Sequence, residues 1–247
     1  MILAAGVGSR LRPMTDERPK ALVEVGGVPM IERVARRLRA AGVTELIVNL
    51  FHLADRIVEF LASKANFGLR IAFTREAELL DTGGGLMNAA WFFDDGRPFF
   101  LHNVDVLSDI DLRGLLRFHR QAGALVTLAV QTRSSSRQLL FDREGRLCGW
   151  ESPKGMGWAT GPIREAERLA FTGIHVIDPA IFPKMTETGA FPIIRTYLRL
   201  AGEGEKIVAC RTDGAYWQDI GSPEKLEDAR GRARAQDHSA PGARETL

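Results

Sequence analysis

Residues 6–20 read GVGSRLRPMTDERPK and follow directly on the apolar stretch Met1–Ala5. The pattern is a short strand running into a glycine-rich turn that carries Arg10, Arg12 and Lys20, with no carboxylate before Asp16. Such a turn suits anionic oxygens. Gly6 and Gly8 lack a Cβ and can take positive φ, so successive backbone N–H groups can converge on a phosphate. Arginine adds a planar fork for two phosphate oxygens and lysine a point charge. Spacing excludes two better-known phosphate loops. A Walker A loop needs Gly-Lys-Ser/Thr, whereas Lys20 follows Pro19, and a dinucleotide fingerprint needs a third glycine where Leu11 stands. On its residues alone, a Gly/Arg surface turn is the other open reading.

Extending the window to residues 3–31, LAAGVGSRLRPMTDERPKALVEVGGVPMI, makes the pattern more specific. This stretch resembles the signature of the sugar-1-phosphate nucleotidyltransferases: GxGxRLRPxT, then a PK dipeptide, then V-x-G-x-PM. The resemblance continues through most of residues 1–226. Two segments, DTGGG at 81–85 and FTGIHVIDP at 171–179, are most similar to the N-acetylmuramic acid 1-phosphate uridylyltransferase branch. It implies an α/β fold with a Rossmann-like, mixed and mostly parallel sheet, helices on both faces and a β-hairpin lid. Members carry a few residues before this first strand, so a strand starting at Met1 is either short for the family or preceded by a start upstream.

Composition sets outer limits. A length of 247 residues with 45% hydrophobic residues supports a substantial core, and with no low-complexity linker the expectation is one domain over 1–232. A net charge of +2 gives no argument for nucleic acid. The basic cluster Arg33, Arg36, Arg37 and Arg39 reads as a solvated helix face. The longest apolar run, residues 124–130, is far short of the ~20 residues that span a bilayer, and residues 1–5 are too short for a signal-peptide core. Cys148 and Cys210 form no CxxC pair and read as reduced thiols of a cytoplasmic protein.

Along the chain, Ile31, Val34, Ala35, Leu38 and Ala41 recur at helical spacing, with Gly42 as the stop. Residues 45–51 form a β-rich run covered on both faces, Leu53, Ile57, Val58 and Leu61 a second helix, and residues 69–73 a further strand. This alternation predicts a mostly parallel sheet, with ligands beyond the carboxyl ends of its strands. Residues 86–92 are expected to be helical, with Gly83, Gly84 and Gly85 at the helix start leaving room for a flat or anionic ligand, or forming a plain turn and cap. A buried strand over 98–104 ends at Asp105. Leu112, Leu115, Leu116 and His119 pattern as a helix, with His119 on its partly exposed side, and residues 124–130 as another strand. Residues 138–150 read as a β-hairpin around the turn 142–145, residues 155–167 as a mobile loop, and 169–177 as a strand in which Gly173 marks a bulge or a ligand approach. Helical segments over 179–185 and 192–200 and a strand over 207–210 follow. Ser222 and Pro223 begin a helix over 223–232, and residues 233–247 lack hydrophobic anchors and are expected to be disordered.

The resemblance implies roles for individual residues. Ala4, Ala5, Gly6, Gly8, Arg10 and Lys20 would hold the triphosphate, while Glu78, Thr82 and Gly83 would face the base and ribose. HNVDV at 102–106 is similar to the family's metal-binding NGDV-type segment, with Val104 where a glycine is common; WQDIGSP at 217–223 matches W-x-D-x-G-T/S-P. Asp105 and Asp219 would then hold Mg²⁺, and together with Arg10 and Lys20 they form the implied catalytic set. Asn88, Asn103, Glu151, Thr172 and Gly173 would line the sugar pocket, although Ser152 stands where the family has a lysine and Lys154 reads as a solvated loop residue. The implied partners are a nucleoside triphosphate, UTP foremost, and a sugar 1-phosphate in peptidoglycan recycling. Guanylyl transfer to mannose 1-phosphate, thymidylyl transfer to glucose 1-phosphate and a non-catalytic nucleotide-sugar sensor are the alternatives. None of the five histidines stands in a nucleophile context, so no general base is assigned. Hexapeptide β-helix repeats are absent, and no acyltransferase activity is expected.

Overall fold

A computed structural model describes residues 1–239. Ten strands form the main sheet: β1 (Ile2–Leu3), β2 (Glu45–Leu50), β3 (Arg70–Arg75), β4 (Phe99–Asn103), β5 (Val126–Gln131), β6 (Gln138–Phe141), β7 (Leu147–Ser152), β8 (Gly155–Trp158), β9 (Glu167–Ile177) and β10 (Ile207–Arg211). Their order is β8-β7-β6-β9-β4-β1-β2-β3, with β5 paired to β9 and to β10. The centre, β4-β1-β2-β3, is parallel; β9 runs antiparallel to β4, β5 and β6. The sheet is therefore mixed with a parallel core.

Helices α1 (Met30–Ala40), α2 (Ala54–Ser63), α3 (Asp81–Asn88), α4 (Leu112–Ala122), α5 (Ile193–Gly202) and α6 (Pro223–Ser239) accompany the strands. Strand β2 shows why both faces are covered. Leu46, Val48 and Leu50 pack with Ile31, Val34, Ile57, Leu61 and Leu115 of α1, α2 and α4, whereas Ile47 packs with Leu86 of α3 and with Tyr197 and Leu200 of α5. A period of two sends alternate side chains to opposite cores.

From β1 the chain steps outward to β2 and β3, then returns to the other side of β1 for β4. The order reverses at the carboxyl ends of β1 and β4, the place where open α/β sheets bind ligands. The glycine loop after β1 and Asp105 after β4 both emerge there.

Four expectations are corrected. Helix α3 starts at Asp81 rather than at 86 and ends at Asn88, so the three glycines lie inside it. The segment expected to be a mobile loop contains β8, paired antiparallel with β7. His119, expected on the partly exposed side of its helix, is only 2% exposed, with Nδ1 2.9 Å from Thr127 Oγ1. Helix α6 continues through residues 233–239, which were expected to be disordered; the rest of that expectation, 240–247, lies outside the described residues.

Candidate active site

The glycine loop is held from beneath by Leu11, which packs with Val23, Val25, Met30, Ile220 and Leu226. Gly8 supplies the bend. Its φ is +67°, and a Cβ there would lie 2.9 Å from Thr15 Cγ2 and 3.3 Å from Lys20 Cβ. The Gly8 carbonyl accepts from Leu11 N at 2.8 Å and from Thr15 Oγ1 at 2.9 Å. Gly6 does not take positive φ and has open space at its missing Cβ, so it presents bare backbone to the cleft. That cleft, about 510 Å³, runs from Ala5, Gly6 and Lys20 past Asn103 and Asp105 to Thr82.

Residues far apart in sequence meet at its phosphate end. Lys20 Nζ forms an ion pair with Asp105 Oδ2, the two side chains being 13% and 22% exposed. The strand Val106–Ser108 pairs antiparallel with Trp217–Asp219, with Asp219 opposite Val106, and Ile220 N donates to the Asp105 carbonyl at 3.0 Å. This ribbon brings the two aspartates together. Asp219 Oδ1 accepts from Gly221 N at 2.9 Å, and Oδ2 from Lys225 Nζ. Burial pulls the Asp219 carboxyl upward, but the Lys225 and Gly221 hydrogen bonds and the Lys225 and Lys20 charges outweigh it, leaving the group below its ordinary range. Arg10 closes this end: a Cβ on Gly221 would lie 2.8 Å from Arg10 Nη2, and Arg10 has no ion pair among the described residues.

Three cations here escaped the sequence reading. Lys225 sits in the first turn of α6, where a cation opposes the helix dipole, and its bond to Asp219 accounts for that placement. Arg37 donates to Ser108 O and Oγ and to Ile110 O, tying α1 to the strand after Asp105. Arg37 and Arg33, which donates to Val25 O, are therefore not the solvated face expected of them, although Arg36 and Arg39 are exposed. Arg133 lies 3.6 Å over the Trp217 ring and donates to Phe171 O at 2.8 Å. Burial lowers its pKa against the opposing charge of Asp219.

On the base side the glycines serve packing. A Cβ on Gly83 would lie 2.2 Å from the Phe191 ring, and one on Gly84 2.5 Å from Gly189 O. Gly83 N donates to Phe191 O at 2.9 Å, so that N–H is already used, and Thr82 Oγ1 accepts from Ile193 N at 2.9 Å. Glu78 is exposed, whereas Glu76 is buried and lines the cleft.

The five residues expected to line a sugar pocket are not all brought together. Asn103 lines the cleft and touches Gly173, whose φ is +79° and whose Cβ would lie 2.7 Å from Asn103 Nδ2. Gly173 also falls within a register shift between Phe171 and His175, which is the bulge expected of an interior strand glycine. Thr172 is turned into the sheet and donates to Ala129 O at 2.8 Å, and Trp217 Nε1 donates to its carbonyl at 2.7 Å. Asn88 is exposed and donates to Thr74 Oγ1 at 2.8 Å, away from the cleft lining. Glu151 pairs with Arg168 at 2.7 Å and lines a second cavity of about 800 Å³ under the β6–β8 hairpins, floored by Leu139, Trp150, Phe171 and Leu198. Ser152 accepts from Lys154 N at 3.2 Å and caps the lid turn. Val104 is 5% exposed and belongs to the core.

Burial lowers His102 to about 4 and His175 to about 3. His102 Nδ1 donates to the Asn103 carbonyl at 2.7 Å, and His175 Nδ1 lies 2.8 Å from Tyr197 Oη. These rings are neutral near pH 7. Both cysteines are free thiols, raised to about 11 by burial. Among the described residues no helix is long and apolar enough to cross a membrane, and no group of three or more metal-ligating side chains occurs.

The sequence profile of the nucleotidyl transferase family matches residues 1–139. The N-acetylmuramate alpha-1-phosphate uridylyltransferase of Neisseria meningitidis serogroup B is 31% identical over 243 residues, covering 95% of this chain and 98% of that protein; its Caulobacter vibrioides counterpart is 30% identical over 236 residues, covering 91% and 92%. A Candida albicans mannose-1-phosphate guanyltransferase is also 30% identical over 236 residues, covering 91% of this chain and 61% of that protein. The structure of an apo UDP-glucose pyrophosphorylase superposes with a TM-score of 0.77 at 16% identity, over 96% of this chain and 98% of that one. The chain belongs to the nucleotidyl transferase family, as a sugar-1-phosphate nucleotidyltransferase.

Proposed function

We propose that the chain transfers a uridylyl group from UTP to N-acetylmuramic acid 1-phosphate in a Mg²⁺-dependent reaction in the cytoplasm, releasing pyrophosphate. The observation that carries this reading is the ribbon that sets Asp105 beside Asp219 at the mouth of the glycine loop. Two carboxylates with a neighbouring phosphate site fit a hard dication, which commonly takes one or two protein carboxylates and completes its shell with phosphate and water. Each aspartate is balanced here by a lysine, Asp105 by Lys20 and Asp219 by Lys225. When bound, the ion would neutralise phosphate charge. Two unit charges ~4 Å apart repel by about 4 kcal/mol at an effective dielectric of ~20, and both substrates carry several.

The chain's own residues supply the rest. Gly6 and Gly8 offer backbone N–H groups and Arg10 a guanidinium to the triphosphate, while Lys20 faces the site where charge moves during transfer. Asn103 and Gly173, in contact, form the wall against which the acceptor phosphate would rest. The attacking atom is a phosphate oxygen already ionised at neutral pH, so orientation rather than proton removal lowers the barrier, by on the order of 7–11 kcal/mol from proximity. The neutral buried histidines agree with that economy.

An acidic acceptor is supported by the second cavity. Its floor is apolar, and its rim carries Arg137, Lys154 and Arg195, none of which has an ion pair among the described residues. A sugar bearing a carboxylate and an acyl group would meet both features. The test is pyrophosphate release with Mg²⁺ across UTP, GTP, dTTP and ATP against the 1-phosphates of N-acetylmuramic acid, N-acetylglucosamine, glucose and mannose. The expected maximum is UTP with N-acetylmuramic acid 1-phosphate. A maximum with GTP and mannose 1-phosphate would overturn the substrate assignment, and no release with any pair would overturn the activity.

A further inference from the structure

Three hydrogen bonds, two buried and one partly buried, run in series across the carboxyl edge of the sheet through two side chains given no role above. Where β1 becomes the glycine loop, Ala4 N donates to Asn49 Oδ1 at 2.7 Å. Asn49 Nδ2 donates to Glu76 Oε1 at 2.7 Å. Leu80 N, immediately before α3, donates to Glu76 Oε2 at 2.9 Å. Asn49 is 2% exposed and Glu76 8%, and α3 lies directly on them: a Cβ on Gly85 would come within 2.7 Å of Asn49 Nδ2 and 2.9 Å of Glu76 Oε1.

The polarity of the chain is fixed by its ends. Both terminal groups are backbone N–H donors, so the intervening side chains must accept at both ends and match in the middle. An amide at 49 points its oxygen at Ala4 and its NH₂ at residue 76, which must then accept twice. Accepting once at each of its two terminal atoms, as Glu76 does, takes a carboxylate. An amide at 76 would set an NH₂ against an N–H at one end in either orientation. Exchanging the two groups, N49D together with E76Q, closes the series equally well. The carboxylate at 49 would then accept from Ala4 N and from the amide NH₂ at 76, while the oxygen of that amide accepts from Leu80 N.

We propose that Asn49 and Glu76 form a positioning relay for the donor nucleotide, holding the triphosphate loop and the base-facing loop at one fixed spacing. The relay rests on the nucleotidyl-transfer reading of the cleft. Its two members line that cleft between Gly6 and Thr82, so a nucleotide spanning both loops meets a preformed separation and spends little of its binding free energy on ordering them.

The experiment compares wild type, N49D, E76Q and the N49D/E76Q double variant, reading nucleotide affinity by calorimetry with Mg²⁺ and whichever of UTP, GTP and dTTP the wild type binds most tightly. The KM for the sugar 1-phosphate and the melting temperature are read in parallel. N49D opposes two carboxylates and E76Q opposes two donors, so each single variant should bind nucleotide on the order of tenfold to a hundredfold more weakly, with little change in the sugar KM. The double variant should return to within about threefold of wild type. Single variants that melt lower yet keep wild-type nucleotide affinity would overturn the relay. So would a double variant that recovers its melting temperature but not its affinity. If the single variants do not fold, the double variant decides alone, near-wild-type affinity supporting the relay and weak affinity overturning it. Calorimetry needs no sugar, so a wild type that binds nucleotide but releases no pyrophosphate would sink the transfer reading and leave this comparison standing.

Discussion

The glycine-loop cleft and the cavity under the β6–β8 hairpins, which the proposed reaction would use as donor side and acceptor side, are built differently. On the donor side, ligand-facing groups hang on short links among buried atoms: Lys20 and Asp105 are 13% and 22% exposed, and Ala4, Asn49, Glu76 and Leu80 are joined by bonds of 2.7, 2.7 and 2.9 Å. On the acceptor side, Glu151 and Arg168 are 39% and 53% exposed, and Arg137, Lys154 and Arg195 are exposed on the rim of a cavity. Exposed ion pairs are worth roughly 0.2–1 kcal/mol, whereas a buried polar group left unpaired costs about 1–3 kcal/mol. The donor side therefore tolerates little change in residue type. On the hairpin side, Ser152 holds only local bonds in the lid turn, so an exchange there leaves no buried group unpaired.

Substitution should expose this contrast. The largest effect is expected for Asp105→Asn and Asp219→Asn assayed with Mg²⁺, UTP and a sugar 1-phosphate: turnover falls about a hundredfold or more in each, and undiminished rates in both would remove the aspartates from the reaction. Gly83→Ala tests the donor side's packing. The added methyl falls within 2.4 Å of two Phe191 ring atoms and 2.9 Å of the Phe191 carbonyl, so thermal unfolding should show a loss of about 1–3 kcal/mol; an unchanged melting temperature would mean that the α3 contact is slack. The smallest effect belongs to the rim. Arg195→Gln and Lys154→Gln should each raise KM for N-acetylmuramic acid 1-phosphate a few-fold, as loss of an exposed charge contact does, and leave KM for glucose 1-phosphate unchanged. Equal shifts for both sugars would mean that the rim does not read a carboxylate.

Legibility in the sequence followed the same divide. The glycine loop, its lysine and the parallel β1–β3 core were readable because strand and helix periods and turn glycines act locally. Glycines were harder to read where their neighbour lies far along the chain. The triplet at 83–85 looks like a ligand-facing cap, yet it accommodates Phe191, Gly189, Asn49 and Glu76, contacts that no local pattern encodes. Glu76 is hard to tell from Glu78 for a similar reason: two acids two residues apart look alike until burial separates them. Arg37 and Arg33 were hidden in a basic helix face, since only the fold brings Ser108, Ile110 and Val25 carbonyls within their reach.

By itself the sequence determined the glycine-rich turn after the first strand, the alternation that builds the sheet, and the two aspartate segments whose resemblance implies metal-dependent transfer, because each is written in adjacent residues. Tertiary structure alone decided that Asp105 and Asp219 meet across one ribbon, that lysines balance them, and that Asn49 and Glu76 link the glycine loop to the start of α3. Those facts depend on burial and on hydrogen bonds that mostly join positions far apart in the chain, from Asn49 with Glu76 to Asp105 with Ile220. Both exist only once the strands are in register.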